Sequence, residues 1–241
     1  MGTITRSILL GLAAAAANGF GGAVIVQKDW DKRYLRYFIA VGAGFMLATA
    51  MLEMLPESIR VSGPNAPLLL LTGYFIVHFF EHTVTSHFHF GEETHAEEFA
   101  ESHRVYSVIF GLLIHTFFDG IAIASGFLIS DWLGWVIFVA VVLHKVPEGF
   151  TASSIMLAGG SSRKVAWLAS AALGFATFLG VVTVTVFTRS LPAGLPLSAG
   201  VTLYVAASDL IPEVNREPGT LVAVAVFVGV GMFLVLQHFF H

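Results

Sequence analysis

His115-Thr116-Phe117-Phe118-Asp119-Gly120 and His144-Lys145-Val146-Pro147-Glu148-Gly149 state one pattern twice, H-x-x-x-[D/E]-G. Each copy lies inside a long apolar stretch. On a helix, residues four apart share a face, so each copy presents an imidazole and a carboxylate together. Two such faces offer two nitrogens and two oxygens, a donor set that suits zinc and also iron or manganese. Charged side chains at mid-membrane cost about 2.5–3.5 kcal/mol each on insertion scales. Asp119, Lys145 and Glu148 must therefore neutralise one another, as a plain ion-pair network would, or bind something. Pro147 cannot donate to the Leu143 carbonyl, so it bends its segment beside His144 and Glu148 and frees a backbone oxygen for an ion or water.

The surrounding composition points the same way. The 241 residues are 56% hydrophobic and 12% charged, more apolar surface than one soluble core of this length hides. The reading is an all-α polytopic membrane protein forming a single transmembrane domain over 1–241. The 22 Phe and 24 Gly fit that class. A net charge of -4 without a basic patch argues against a nucleic-acid partner. There is no Cys, which leaves His, carboxylate, Met or backbone oxygen as metal donors.

A hydrocarbon core about 30 Å thick needs roughly 20 apolar helical residues. Eight crossings are expected, near Thr3 to Val26, Leu35 to Ser58, Pro67 to His87, Arg104 to Ser130, Trp132 to Ala158, Lys164 to Arg189, Gly194 to Val214 and Gly219 to Phe240. The first is read as a spanning helix and not as a removed signal peptide. A second repeat sets Glu53-Met54-Leu55-Pro56-Glu57 against Asp209-Leu210-Ile211-Pro212-Glu213, with Gly44, Leu47 and Ala50 matching Gly200, Leu203 and Ala206. Segments one to three (about 1–90) and six to eight (about 160–241) then form inverted copies around the central pair (104–158), a 3+2+3 arrangement; inverted repeats around a midplane site are a recurring plan for secondary transporters. With both termini outside, eight Lys and Arg (Lys28, Lys32, Arg33, Arg36, Arg104, Arg163, Lys164, Arg216) fall inside and three (Arg6, Arg60, Arg189) outside. The acidic, His-containing loop at about 88–103 would face the cytosol.

These residues resemble the ZIP (Zrt/Irt-like protein) divalent-metal transporters over nearly the whole chain, most specifically at HTFFDG and HKVPEG and at the proline-carboxylate ends of segments two and seven. The resemblance implies zinc transport toward the cytosol across the plasma membrane, with Fe2+, Mn2+ or Cd2+ as further cargoes, by an elevator-like movement. It carries the primary transport site onto His115, Asp119, His144 and Glu148, and a soft thioether ligand onto Met46, whose alternative role is packing. Many bacterial members look binuclear. Here Thr116 and Lys145 stand where their further ligands would be, so a single ion is expected, with the Lys145 ammonium replacing the second.

Beyond the centre, Glu53 and Glu57 are expected to attract cations at the outer entrance, and Asp209, Glu81 and His82 to form an inner exit. No organic cofactor is expected. The partners are metal ions and the bilayer, with a homodimer left open. The alternative is an intramembrane zinc hydrolase in which the same ligands hold an ion that activates water, with Ser125 or Ser153 nearby as in a lipid amidase. Its protease form lacks H-E-x-x-H, and Lys145 occupies the place of that motif's base.

Overall fold

Long runs of Ala, Gly, Val, Leu and Phe give the backbone no partner in a bilayer except itself, and helix is the local solution. The computed structural model describes residues 2–27, 32–83, 102–215 and 219–240. Among these there is no strand. The helices are α1 (Thr3–Gln27), α2 (Lys32–Thr49), α3 (Leu55–Ser62), α4 (Ala66–Thr83), α5 (Ser102–Ile129), α6 (Asp131–Ala158), α7 (Arg163–Val186), α8 (Leu191–Tyr204), α9 (Ile211–Asn215) and α10 (Thr220–Phe240). The expected His-containing loop at about 88–103 lies outside the described residues except for its last two, Ser102 and His103, which begin α5.

Seven helical stretches among the described residues are long and apolar enough to cross a membrane, where eight segments were expected. The difference has a local cause. The expected second and third segments join in one 42-residue helical stretch, Ile39–Phe80. Straight, it would measure about 63 Å at 1.5 Å per residue, twice a hydrocarbon core. It is broken at Gly63, whose φ of 57° suits glycine and which opens a 3-10 turn, Gly63–Asn65.

The two proline-carboxylate stretches share a further feature. A π-helical turn, Ala50–Met54, precedes Pro56, and another, Val205–Leu210, precedes Pro212. A proline cannot supply the regular i to i−4 hydrogen bond, and a widened turn is one way for a helix to absorb that loss.

Helix starts follow their sequence signals. Ser130 caps α6 by accepting from Leu133 N–H at 3.1 Å, and Ser162 caps α7 by accepting from Val165 N–H at 3.4 Å. Asp131 complements the α6 dipole and pairs with Arg6 of α1 at 2.5 Å. At the other end of α1, Arg163 donates to the Val26 carbonyl at 2.6 Å.

Packing is set by glycines laid against backbone carbonyls. A Cβ on Gly44 would collide with the Val226 carbonyl oxygen, and one on Gly229 with that of Val41, where α2 crosses α10. The same shift along the chain gives the α4–α8 crossing, where Gly200 meets the Leu70 carbonyl and Gly73 that of Leu197. A second matched pair joins α1 to α6 (Gly21 on Val146, Gly149 on Asn18) and α7 to α5 (Gly180 on Phe117, Gly120 on Thr177). Close backbone approach of this kind is how membrane helices gain dispersion contact without a hydrophobic driving force. Gly149→Ala should therefore lower the thermal midpoint in detergent, at the roughly 1–3 kcal/mol typical of overpacking. Gly19→Ala, where nothing lies within 4 Å, should not lower it. Equal midpoints for the two variants would contradict this packing.

Candidate metal centre

α5 and α6 pack along one another and bring the two copies of the H-x-x-x-[D/E]-G pattern face to face. Each of His115, Asp119, His144 and Glu148 offers one donor atom, and the four atoms lie within 4.8 Å of one another. No other His or carboxylate cluster of three or more has this geometry among the described residues. All four side chains are buried, none more than 3% exposed. A tetrahedral zinc ion, with ligand bonds of about 2.0–2.2 Å, needs donors roughly 3.3–3.6 Å apart. Small side-chain movements would supply that.

Asp119 is the hub. Its Oδ2 lies 3.2 Å from His115 Nε2 and 3.1 Å from His144 Nε2, and accepts from Lys145 Nζ at 2.6 Å. Lys145 Nζ also donates to Glu148 Oε2 at 2.6 Å. The lysine is wholly buried, so its ammonium bridges the two carboxylates out of reach of bulk water. Its bridge accounts for much of the intramembrane charge. Two carboxylates against one ammonium still leave the cluster one negative charge with neutral imidazoles.

The hydrogen bonds set the donor atoms. His144 Nδ1 faces the Ala140 carbonyl at 2.9 Å and can only donate there. In the neutral ring Nε2 then carries the lone pair and points it at a carboxylate oxygen, acceptor toward acceptor. Neither nitrogen of His115 makes a hydrogen bond, nor do Asp119 Oδ1 and Glu148 Oε1. Buried polar atoms are rarely left this way, and a cation among them would satisfy the whole group.

The remaining sequence-predicted residues fall as follows. Thr116 is buried, and its hydroxyl donates to the Leu113 carbonyl of its own helix at 3.0 Å. Met46 is fully buried on α2 within the apolar cluster that contains Phe45, Met156 and Phe233. Glu53 is half-buried in the first π turn, and Glu57 accepts from Arg60 Nε at 2.8 Å at the surface. Asp209 is buried in the second π turn. His82 is exposed, donates from Nδ1 to the His78 carbonyl at 2.9 Å and stacks on the His78 ring, with centroids 4.1 Å apart. The Glu81 side chain lies outside the described residues. Ser125 and Ser153 are buried, and Ser153 donates to the Ala166 carbonyl at 2.9 Å.

One residue at the centre carries no motif in the sequence. Asn18 of α1 reaches Glu148: with its amide oriented so that nitrogen faces acceptors, it donates to Glu148 Oε2 at 3.1 Å and to the Lys145 carbonyl at 2.6 Å. The signal available was an amide side chain within the run Ala13–Ala17 and Gly19, since polar groups inside membrane helices turn toward the bundle interior.

Fold and cluster together define an integral membrane protein with a buried four-donor group that fits a metal site. The family model described as ZIP Zinc transporter matches residues 3–108 and 92–237. The chain is 23% identical to zinc transporter ZIP9-B of Xenopus laevis, over 89% of this chain and 87% of that protein. It is 28% identical to zinc transporter ZIP9 of Xenopus tropicalis, over 86% and 84%. To zinc transporter SLC39A7 of Mus musculus it is 31% identical, over 52% and 30%. The chain belongs to the ZIP zinc transporter family. These relatives are named as transporters and not as enzymes, which sets the hydrolase alternative aside.

Proposed function

We propose that this protein moves divalent metal, zinc first, toward the cytosol by alternating access, one ion at a time, through a site made by His115, Asp119, His144 and Glu148. The observation that carries the reading is the convergence of two imidazoles and two carboxylates within 4.8 Å, with unpartnered donor atoms on three of the four residues. Fe2+, Mn2+ and Cd2+ are further cargoes, since the same borderline donors accept them. The Lys145 ammonium takes the electrostatic place of a second ion, and Thr116, its hydroxyl turned to its own helix, adds no ligand. Met46 is the soft donor proposed from α2. Glu53 and Glu57 serve the entrance, where the Arg60 partner of Glu57 weakens its pull on cations. Asp209, Glu81 and His82 serve the exit.

Eight crossings are proposed, with the Ile39–Phe80 stretch counted as two. Arg6 and Asp131 pair the first turns of α1 and α6, so these two helices start at one end and run in parallel. Arg163, which begins α7, meets Val26 near the end of α1, so α7 runs the other way. Both relations need an even number of crossings between Gln27 and Ser102. The glycine crossings, exchanged in matched pairs, support the 3+2+3 inverted repeat. The Lys and Arg distribution supports termini outside, and the plasma-membrane location is carried over from the family resemblance.

The elevator-like movement has support in two groups of helices. α1, α5, α6 and α7 pack together, while α2 pairs with α10 and α4 with α8. Within each group the backbones touch at glycines. Between the groups no glycine among the described residues lies as tightly against a backbone carbonyl: a Cβ on Gly42 of α2 would stand 3.5 Å from the Leu143 carbonyl oxygen, one on Gly194 of α8 would meet only side chains of α5, and Ser198 of α8 reaches the Phe118 carbonyl through its side chain at 3.0 Å. The first group would carry the site past the second.

Ligands must be free of protons to hold metal, so binding is linked to pH. Obligatory proton coupling predicts that zinc influx into liposomes containing the purified protein responds to an imposed pH gradient. Influx indifferent to the gradient removes that coupling, and absence of influx under every gradient overturns the carrier.

A further inference from the structure

Asn18 is wholly buried at mid-helix, and neither the expected ligand set nor the glycine packing requires an amide there. Its surroundings fix it on three sides. Its backbone carbonyl accepts from Ser170 of α7. Gly149 of α6 lies against the same carbonyl, and Gly21, one turn on, lies against the Val146 carbonyl, so no side chain separates α1 from α6 at this level. The carboxamide is thereby presented to Glu148 from a rigid crossing. One N–H goes to Glu148 Oε2 at 3.1 Å and the other to the Lys145 carbonyl at 2.6 Å.

The result is an asymmetric carboxylate. Oε2 of Glu148 is held by two donors, Asn18 and Lys145, while Oε1 has none and lies 3.8 Å from His115 Nε2. The matching position on the other side of the repeat behaves differently. Thr177 of α7 stands against Gly120 as Asn18 stands against Gly149, but its hydroxyl donates to the Leu173 carbonyl of its own helix at 3.3 Å. Asp119, the shorter acid, is approached by His115, His144 and Lys145 instead.

We infer that Asn18 is a positioning residue for Glu148: by fixing Oε2 it turns Oε1 toward the cation, and it holds the carboxylate in that orientation when an arriving ion repels the Lys145 ammonium. The Lys145 ammonium is repelled by an incoming metal, whereas a neutral amide is under no such force. The inference rests on the reading that this cluster binds the transported metal.

A double-mutant cycle tests it. Zinc binding would be measured by calorimetry on detergent-purified wild type, Asn18→Leu, Glu148→Gln and the double variant, with thermal unfolding followed in parallel. Loss of a hydrogen-bonding support behind a metal ligand weakens metal affinity about 10–100-fold, and that is the expectation for Asn18→Leu, with Asn18→Ser, which keeps one donor, in between. In the Glu148→Gln background Asn18→Leu should add less than about 3-fold, because groups that act through one another are not additive. Wild-type affinity in Asn18→Leu, or an equal loss whichever residue occupies position 148, overturns the inference. Should Asn18→Leu fail to fold, Asn18→Ala takes its place in the cycle under the same criteria. A wild type that binds no zinc overturns the metal-site reading itself, which separates the two failures.

Discussion

Asp119→Ala is expected to abolish zinc binding and to lower the thermal midpoint more than loss of any other member of the cluster. Three groups converge on Asp119 Oδ2: Lys145 Nζ at 2.6 Å, His144 Nε2 at 3.1 Å and His115 Nε2 at 3.2 Å. Without the carboxylate, a wholly buried ammonium keeps Glu148 alone, and breaking one side of a buried charge pair costs about 3–5 kcal/mol. Asp119→Asn preserves the shape and one acceptor, so it should keep more stability while losing binding to the same degree. Scanning calorimetry and zinc titration of the two variants in detergent separate these effects. Wild-type affinity in either would remove Asp119 from the ligand set, and an unchanged midpoint in Asp119→Ala would contradict its place as hub.

Lys145→Asp is expected to change how many ions the protein holds. An ammonium 2.6 Å from both carboxylates stands where a second cation would seek its ligands. Two unit charges 4 Å apart interact by about 4 kcal/mol at an effective dielectric constant of 20, and a dication doubles that. Replacing the ammonium by a carboxylate exchanges this repulsion for an attraction of similar size and supplies a ligand. Metal analysis after desalting should then rise from about one zinc per chain to about two, with altered preference among zinc, manganese and cadmium. Lys145→Met removes the charge without adding a ligand and should leave the count at one. An unchanged count and unchanged transport in Lys145→Asp would contradict the substitution of lysine for metal.

Part of this arrangement is legible in the doubled motif alone. A His and an acid four residues apart must share a helix face, and an apolar context leaves helix as the local fold. Spacing within a segment says nothing about which oxygen of Asp119 or Glu148 faces which neighbour. That depends on the crossing of α5 and α6 and on Lys145 folding back onto both acids. Asn18 escapes a sequence reading for the same reason, since it reaches the centre from a third helix that shares no motif with the other two. The break at Gly63 falls within the connection expected between the second and third segments, but its form is hidden, because Gly-Pro-Asn reads as an ordinary loop whereas the chain keeps helical turns on both sides of a single residue at positive φ. The match between Glu53-Met54-Leu55-Pro56-Glu57 and Asp209-Leu210-Ile211-Pro212-Glu213 marks two equivalent places, but the π turns ahead of both prolines are apparent only in the backbone.

Together these features describe a buried four-donor cluster on α5 and α6, supported from α1 and enclosed in the group of helices proposed to move, which the proposed function makes the place of the transported cation. The lysine bridge supplies the carboxylates with a counter-charge from the chain itself, so they need not stand uncompensated between one ion and the next. In that account the site is both the binding place and the path. The measurement that tests this most directly is metal flux into liposomes containing wild type, His144→Ala or Glu148→Ala, at equal amounts of folded protein and with zinc, iron, manganese and cadmium in turn. The account predicts saturable zinc influx for the wild type and, for each variant, a loss larger than the roughly 10–100-fold that removal of a supporting partner behind a ligand costs. Influx that survives either substitution undiminished would place the path elsewhere in the molecule and contradict the account.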